Sequence, residues 1–114
     1  MIRHLIDISD LTQKEIKKIL LFSKKIKNKP LKYNDLLENK YLGMIFSAQS
    51  ARTRLSFDIG MKKLGGNTIE MNQEAIGFGS RESDSDIMNT LSQYIDCLII
   101  RNNNHKKIKL LASV

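Results

Sequence analysis

The sequence predicts an α/β domain, a mainly parallel sheet flanked by helices. Three observations predict it. Tyr41 to Phe46 is a short, apolar, glycine-interrupted run, the pattern of a buried strand. Residues 50–65 then place Leu55, Ile59, Lys62 and Lys63 at helical spacing and stop at Gly65-Gly66. Asn67 to Met71 returns to a strand pattern, and two strands joined through one helix demand parallel pairing with a right-handed crossover.

Length and composition bound the rest. The 114 residues suffice for one real core and not for two domains. Hydrophobic residues at 41% and charged residues at 27% are ordinary for a soluble globular chain. A formal charge of +7 points toward an anionic partner, but the excess is mostly lysine. No helix-turn-helix, zinc or RNA-stacking signature accompanies it, so nucleic acid is not the expected partner. Cys97 is the sole cysteine, which leaves neither a disulfide framework nor a cysteine metal site. It lies in the apolar run Asp96-Cys97-Leu98-Ile99-Ile100, where a structural thiol is expected. The N-terminus has no long apolar core or cleavage-site pattern, and no run reaches membrane-spanning length. The expectation is a soluble, cytoplasmic chain without membrane contact.

Taken in order, residues 9–29 form the first expected helix. Thr12 and Glu15 make a capping box, and Leu11 with Ile16 can staple it. Ile16, Ile19, Leu20, Ser23 and Ile26 or Lys27 follow at helical spacing, which predicts one buried face. Lys14, Lys17, Lys18, Lys24 and Lys25 mark the wet face, which also suits a membrane or partner surface. Lys29-Pro30 ends the helix, because proline disfavours helical geometry in the residue before it. Residues 31–40 make a turn or short helix. Residues 72–85 are polar and glycine-bearing, too long for a plain connector. Ser83, Asp84 or Ser85 caps a helix carrying Ile87, Met88, Leu91 and Ile95. Residues 96–101 give a third central strand ending at Arg101, and a last helix carries Ile108, Leu110 and Leu111. There is no internal repeat.

The chemistry concentrates at Ser50-Ala51-Arg52-Thr53-Arg54, in the turn between the first strand and its helix. A helix N-terminus offers unpaired N–H groups and the positive end of the dipole. Two guanidiniums and the hydroxyls of Ser50 and Thr53 complete a phosphate cradle. The same residues also read as an N-capped surface helix with two solvated arginines. Arg101 stands at the carboxyl end of a strand, where open α/β sheets bind ligands, or is a strand-end arginine in solvent. The Gly77-Phe78-Gly79 run lacks the third glycine of a dinucleotide fingerprint and the Lys-Ser/Thr of a P-loop.

These residues resemble a known family. Ser50-Ala51-Arg52-Thr53-Arg54 with Leu55-Ser56-Phe57 is similar to the Ser-Thr-Arg-Thr-Arg phosphate motif of the aspartate and ornithine carbamoyltransferases. Phe46, Leu64-Gly65-Gly66, Glu82-Ser83, Asp86 and Arg101 fall where that family places similar residues, and Leu5 to Thr12 resembles the ornithine branch. The resemblance implies the carbamoyl-phosphate half of such an enzyme, with a parallel sheet between helices. It implies that Ser50, Ala51, Arg52, Thr53 and Arg101 bind carbamoyl phosphate. It also implies a homotrimer, a place in arginine biosynthesis, and no metal or cofactor. The parent reaction would be transfer of carbamoyl to ornithine, giving citrulline and phosphate.

Three departures from the pattern bear on that expectation. Ala51 stands where the motif has its first threonine, so one hydroxyl is gone. The family's long-loop glutamine, which helps complete a neighbouring subunit's site, would fall at Gly77, and Gln73 is out of register. The family's His-Pro-x-x-Gln and its amino-acid-binding domain would follow Val114. The expectation is therefore that residues 1–114, as one domain, do not catalyse transfer by themselves. The rival is a non-catalytic phosphate-binding or assembly domain derived from the family.

Overall fold

In the computed structural model, residues 3–46, 51–72, 84–101 and 105–112 are described. The sheet is organised around β1 (Tyr41–Phe46), its middle strand, with β2 (Asn67–Asn72) and β3 (Cys97–Arg101) on either side. Both pairings are parallel. The helices are α1 (Gln13–Asn28), α2 (Ala51–Lys63), α3 (Asp84–Tyr94) and α4 (His105–Ala112). The expected α/β architecture with a parallel sheet is the observed one.

Burial explains why β1 is central. Leu42, Met44, Ile45 and Phe46 are buried, with Met44 and Ile45 at 1% and 0% exposure. A strand covered on both faces reads as a continuous apolar run, because successive side chains point to opposite faces. On one face Leu42, Met44 and Phe46 pack with Met61 of α2 and Ile99 of β3. On the other, Gly43 faces Ile95 at the end of α3, with Met71 and Leu98 beside it. A Cβ on Gly43 would stand 2.7 Å from Ile95 Cδ1, so the close approach of Ile95 requires glycine here. α2 covers the first face, and Ile95, which directly follows α3, packs on the second. Ile87 of α3 and Leu111 of α4 complete the buried apolar side chains among the described residues.

The glycine stop of α2 is a Schellman cap. Gly66 N–H donates to Met61 O at 3.0 Å and Gly65 N–H to Lys62 O at 3.0 Å. Gly65 has φ +89°, and a Cβ there would also sit 2.5 Å from Asn34 O. The cap thus locks onto the turn before β1, where Leu37 N–H donates to Leu64 O at 2.8 Å.

Several expectations need correcting. Within 9–29 the first helix starts at Gln13, directly after Thr12, and Ile8–Asp10 forms a separate 3-10 turn before it. Its capping box forms as expected: Glu15 N–H donates to Thr12 Oγ1 at 3.1 Å and Thr12 N–H to Glu15 Oε1 at 3.0 Å. Its apolar face is not buried. Ile19 is 50% exposed and Leu20 65%, and no residue of α1 is fully buried. Helical spacing shows that a face is apolar, not what covers it, and among the described residues α1 packs on the 3-10 turn Pro30–Tyr33 through Phe22 and Tyr33. The 96–101 strand begins at Cys97 and lies at a sheet edge among the described residues, not centrally. Cys97 is exposed there, because it is the first residue of an edge strand rather than part of the core. α3 starts at Asp84, so of the three expected caps Asp84 and Ser85 lie within the helix, and Ser83 lies outside the described residues. Gln73, Gly77, Glu82 and Ser83 of the long polar segment lie outside the described residues.

Among the described residues no helix is long and apolar enough to cross a membrane. None of their His, Cys, Asp and Glu side chains form a group of three or more able to hold a metal.

Candidate anion-binding site

Parallel register brings three strand ends to one edge. Phe46 at the end of β1 is paired with Asn72 at the end of β2 and with Arg101 at the end of β3. The strand order β2-β1-β3 makes the gap between β1 and β3 the point where successive connections turn opposite ways. Open α/β sheets bind ligands in the crevice outside the carboxyl ends of the strands at such a point. α2 begins at this edge, five residues after Phe46.

Of the five residues singled out by sequence, four are described. Ser50 lies outside the described residues. Ala51, Arg52 and Thr53 form the first turn of α2, where the unpaired backbone N–H groups lie. Thr53 and Arg101 meet across 48 residues of sequence: Arg101 Nη1 donates to Thr53 Oγ1 at 3.1 Å. Arg52 is exposed, and among the described residues its side chain makes no hydrogen bond or ion pair. One guanidinium of the edge is thus tied to a motif hydroxyl, and a second stands in solvent on the same first turn. Such an arrangement favours a small tetrahedral or planar anion.

Arg54 departs from the two-guanidinium cradle expected from its sequence. Its Nε lies 2.7 Å from Glu70 Oε1 of β2, and its guanidinium sits 6.0 Å from the Phe46 ring centroid. The Nε–H is not aligned on the carboxylate oxygen, so the contact is an ion pair rather than a well-formed hydrogen bond. Both side chains are more than a third exposed, and pairs of this kind contribute about 0.2–1 kcal/mol. Arg54 is thus turned toward β2, while Arg101 reaches the first turn of α2, which carries Arg52.

One turn further along α2, Asp58 accepts from Thr68 Oγ1 at 2.6 Å and pairs with Lys62 Nζ at 2.9 Å. The Thr68 hydroxyl and the Lys62 ammonium hold the Asp58 carboxyl below its ordinary range. Sequence reasoning missed Asp58, Thr68 and Glu70. The available signal was polar side chains two apart on β2, Thr68 and Glu70, facing an Arg/Asp pair four apart on α2.

A shallow hollow elsewhere, lined by Arg3, Leu5, Leu11, Glu15, Lys18 and Ile19, shares no residue with the sheet's carboxyl edge. Arg3 pairs with both oxygens of Glu15 there, and its Nη2 also donates to Asp10 O at 3.0 Å. These partners hold the Glu15 carboxyl down to about 2, the hydrogen bond from Arg3 first and the Thr12 N–H next. The arrangement fastens the N-terminal segment to α1.

Comparison with known proteins gives the geometry a context. Residues 3–114 match the family model for the aspartate/ornithine carbamoyltransferase carbamoyl-P binding domain. The ornithine carbamoyltransferase of Shewanella oneidensis is 36% identical over 110 residues, which span 96% of this chain and 36% of that protein. Among solved structures, the ornithine carbamoyltransferase from Pyrococcus furiosus superposes with a TM-score of 0.88 at 38% identity, covering 97% of this chain and 36% of that one. The catalytic subunit of the aspartate transcarbamoylase of M. jannaschii gives 0.80 at 33% identity, covering 98% of this chain and 38% of that one. The chain thus spans about a third of the length of the curated relatives it matches.

Proposed function

Because the chain belongs to the aspartate/ornithine carbamoyltransferase family, as its carbamoyl-P binding domain, we propose that Ser50, Ala51, Arg52, Thr53 and Arg101 bind carbamoyl phosphate. The parent activity is that of an ornithine carbamoyltransferase. The observation that carries this reading is the Arg101–Thr53 contact, which joins the end of β3 to the first turn of α2. The ornithine branch is supported by the Leu5–Thr12 opening and by relatives such as the ornithine carbamoyltransferase of Shewanella oneidensis. The reading carries with it a cytoplasmic role in arginine biosynthesis.

The chemistry asked of these residues is electrostatic. An ornithine amine attacks the carbamoyl carbon; the new C–N bond forms, the C–O bond to phosphate breaks, the amine loses a proton, and citrulline and phosphate leave. Negative charge grows first on the carbonyl oxygen and then on the departing phosphate. Fixed guanidiniums and N–H donors lower the barrier by meeting that charge without reorganising. Arg52 pairs with phosphate oxygens, the backbone N–H groups at Ala51 to Thr53 point at the same anion, and Arg101 with Thr53 frames the carbonyl side. Ala51 supplies an N–H but no hydroxyl, so the site is weaker than one with threonine there.

Residues 1–114 by themselves bind the anion without transferring carbamoyl, since aligning the amine supplies much of such a catalyst's power. The reading carries with it assembly as a homotrimer. Calorimetric titration with phosphate and carbamoyl phosphate tests the site. Removing a hydrogen bond to a charged group costs about 1.5–3 kcal/mol, so Arg52→Ala abolishes measurable binding by a weak site. Equal affinity in Arg52→Ala and the parent would contradict the assignment. Steady citrulline formation by residues 1–114 would contradict the inactive reading, and phosphate binding without turnover agrees with it and with a purely binding domain.

A further inference from the structure

Two polar contacts join α2 to β2 side by side. Arg54 and Asp58 lie four apart on α2, while Glu70 and Thr68 lie two apart on β2. Four helical residues advance about 6 Å and two strand residues about 6.6 Å, so the two pairs form at matched heights. The order is reversed, Arg54 with Glu70 and Asp58 with Thr68, as expected for a crossover helix that runs back against its strands. The outer pair adjoins the sheet's carboxyl edge, because the Arg54 guanidinium also lies over Phe46, the last residue of β1. Lys62 pairs with Asp58 from within α2 and leaves Thr68 as the carboxylate's partner on β2.

Two contacts at different heights fix what one cannot: both the slide of α2 along the sheet and its rotation about its own axis. Rotation matters because neighbouring helical residues differ by about 100° in direction. Thr53, directly before Arg54, reaches Arg101 only in one setting of the helix. We propose that Glu70 and Thr68 are positioning residues for the anion site, acting through Arg54 and Asp58 to key α2 so that its first turn faces Arg101. The proposal rests on the reading of residues 50–54 and 101 as an anion site.

The test separates keying from simple charge. Removing the Glu70 carboxylate by itself favours a nearby anion through space, so a purely electrostatic role predicts tighter phosphate in Glu70→Gln. Keying predicts the opposite, a dissociation constant raised on the order of two- to fivefold in Glu70→Gln and three- to tenfold in Thr68→Val. Thr68→Ser keeps the hydroxyl and binds like the parent. Glu70→Gln adds nothing to Arg54→Met, because both break the same contact. Inorganic phosphate is the probe, well below each variant's melting temperature. Tighter or unchanged binding in Glu70→Gln overturns the proposal, as does additivity with Arg54→Met. Amide residual dipolar couplings of α2 relative to β1 give a readout that needs no ligand. If the parent binds no phosphate, the site reading itself has failed. The couplings of Glu70→Gln/Thr68→Val then decide the keying: a reoriented helix supports it, and an unchanged one overturns it.

Discussion

Of the two long helices, α1 carries the better sequence signals and α2 the better anchorage. α1 has a reciprocal capping box, a proline just past its end and apolar residues at helical spacing, yet Ile19, Leu20, Leu21 and Phe22 are all exposed. α2 has Gly60 in its interior and Leu55, Phe57 and Ile59 exposed, yet it is held at both ends. Its first turn meets Arg101 of β3, its end is capped against residue 34, and two polar contacts join it to β2. Capping and periodicity decide whether a helix forms. Connectivity between paired strands decides where it sits, and only a seated helix can present a first turn to a ligand.

The comparison is broken most forcefully by truncation. Ile45→Ala removes a fully buried side chain from β1 and should cost about 2–5 kcal/mol. Ile19→Ala, on the half-exposed face of α1, should stay within about 1 kcal/mol. Urea unfolding of both variants checks it. Comparable losses would mean that α1 is part of the cooperative core.

The anchorage of α2 is sharpened by restoring chemistry to its first turn. Ala51→Thr adds a hydroxyl beside the helix N–H groups and should tighten phosphate by about 1 kcal/mol, roughly fivefold to tenfold. Ala51→Val has the same shape without the hydroxyl and should leave affinity unchanged. Equal effects of Thr and Val on the titrated dissociation constant would show that the hydroxyl is irrelevant.

The smallest effect belongs to the N-terminal end of α1. Glu15 is held down to about 2 from an ordinary 4.5, chiefly by Arg3. A carboxyl depressed in the folded state contributes stability that is fully present above its unfolded value and is lost as pH falls through the folded one. The contribution therefore fades between about 4.5 and about 2, and Arg3→Met should flatten that part of the acid unfolding curve. An unchanged pH profile in Arg3→Met would remove Arg3 as the cause.

Much of this was legible in the sequence. β1 was found within its observed bounds because a strand buried on both faces writes a short apolar run broken only by a glycine, Tyr41 to Phe46. The stop of α2 was legible because only glycine suits φ +89° at residue 65. The outer place of β3 among the described strands was not, since Leu98 to Ile100 look the same in a central strand and in an outer strand covered by helices. Nor was the diversion of Arg54 to Glu70: a guanidinium four residues after Ser50 offers the same chemistry to a phosphate and to a carboxylate. That choice is made by the strand register, which sets Glu70 opposite Met44 and brings it under α2.

The most direct test of the anion site is an amide titration of the 114-residue chain with inorganic phosphate. The lysine-rich face of α1 and the first turn of α2 compete for any anion on charge alone. An anion bound at the sheet's carboxyl edge gives saturating shifts at Ala51, Arg52, Thr53 and Arg101, with Gln13–Asn28 unmoved. Shifts spread along α1 with none at Ala51 to Thr53 would contradict it.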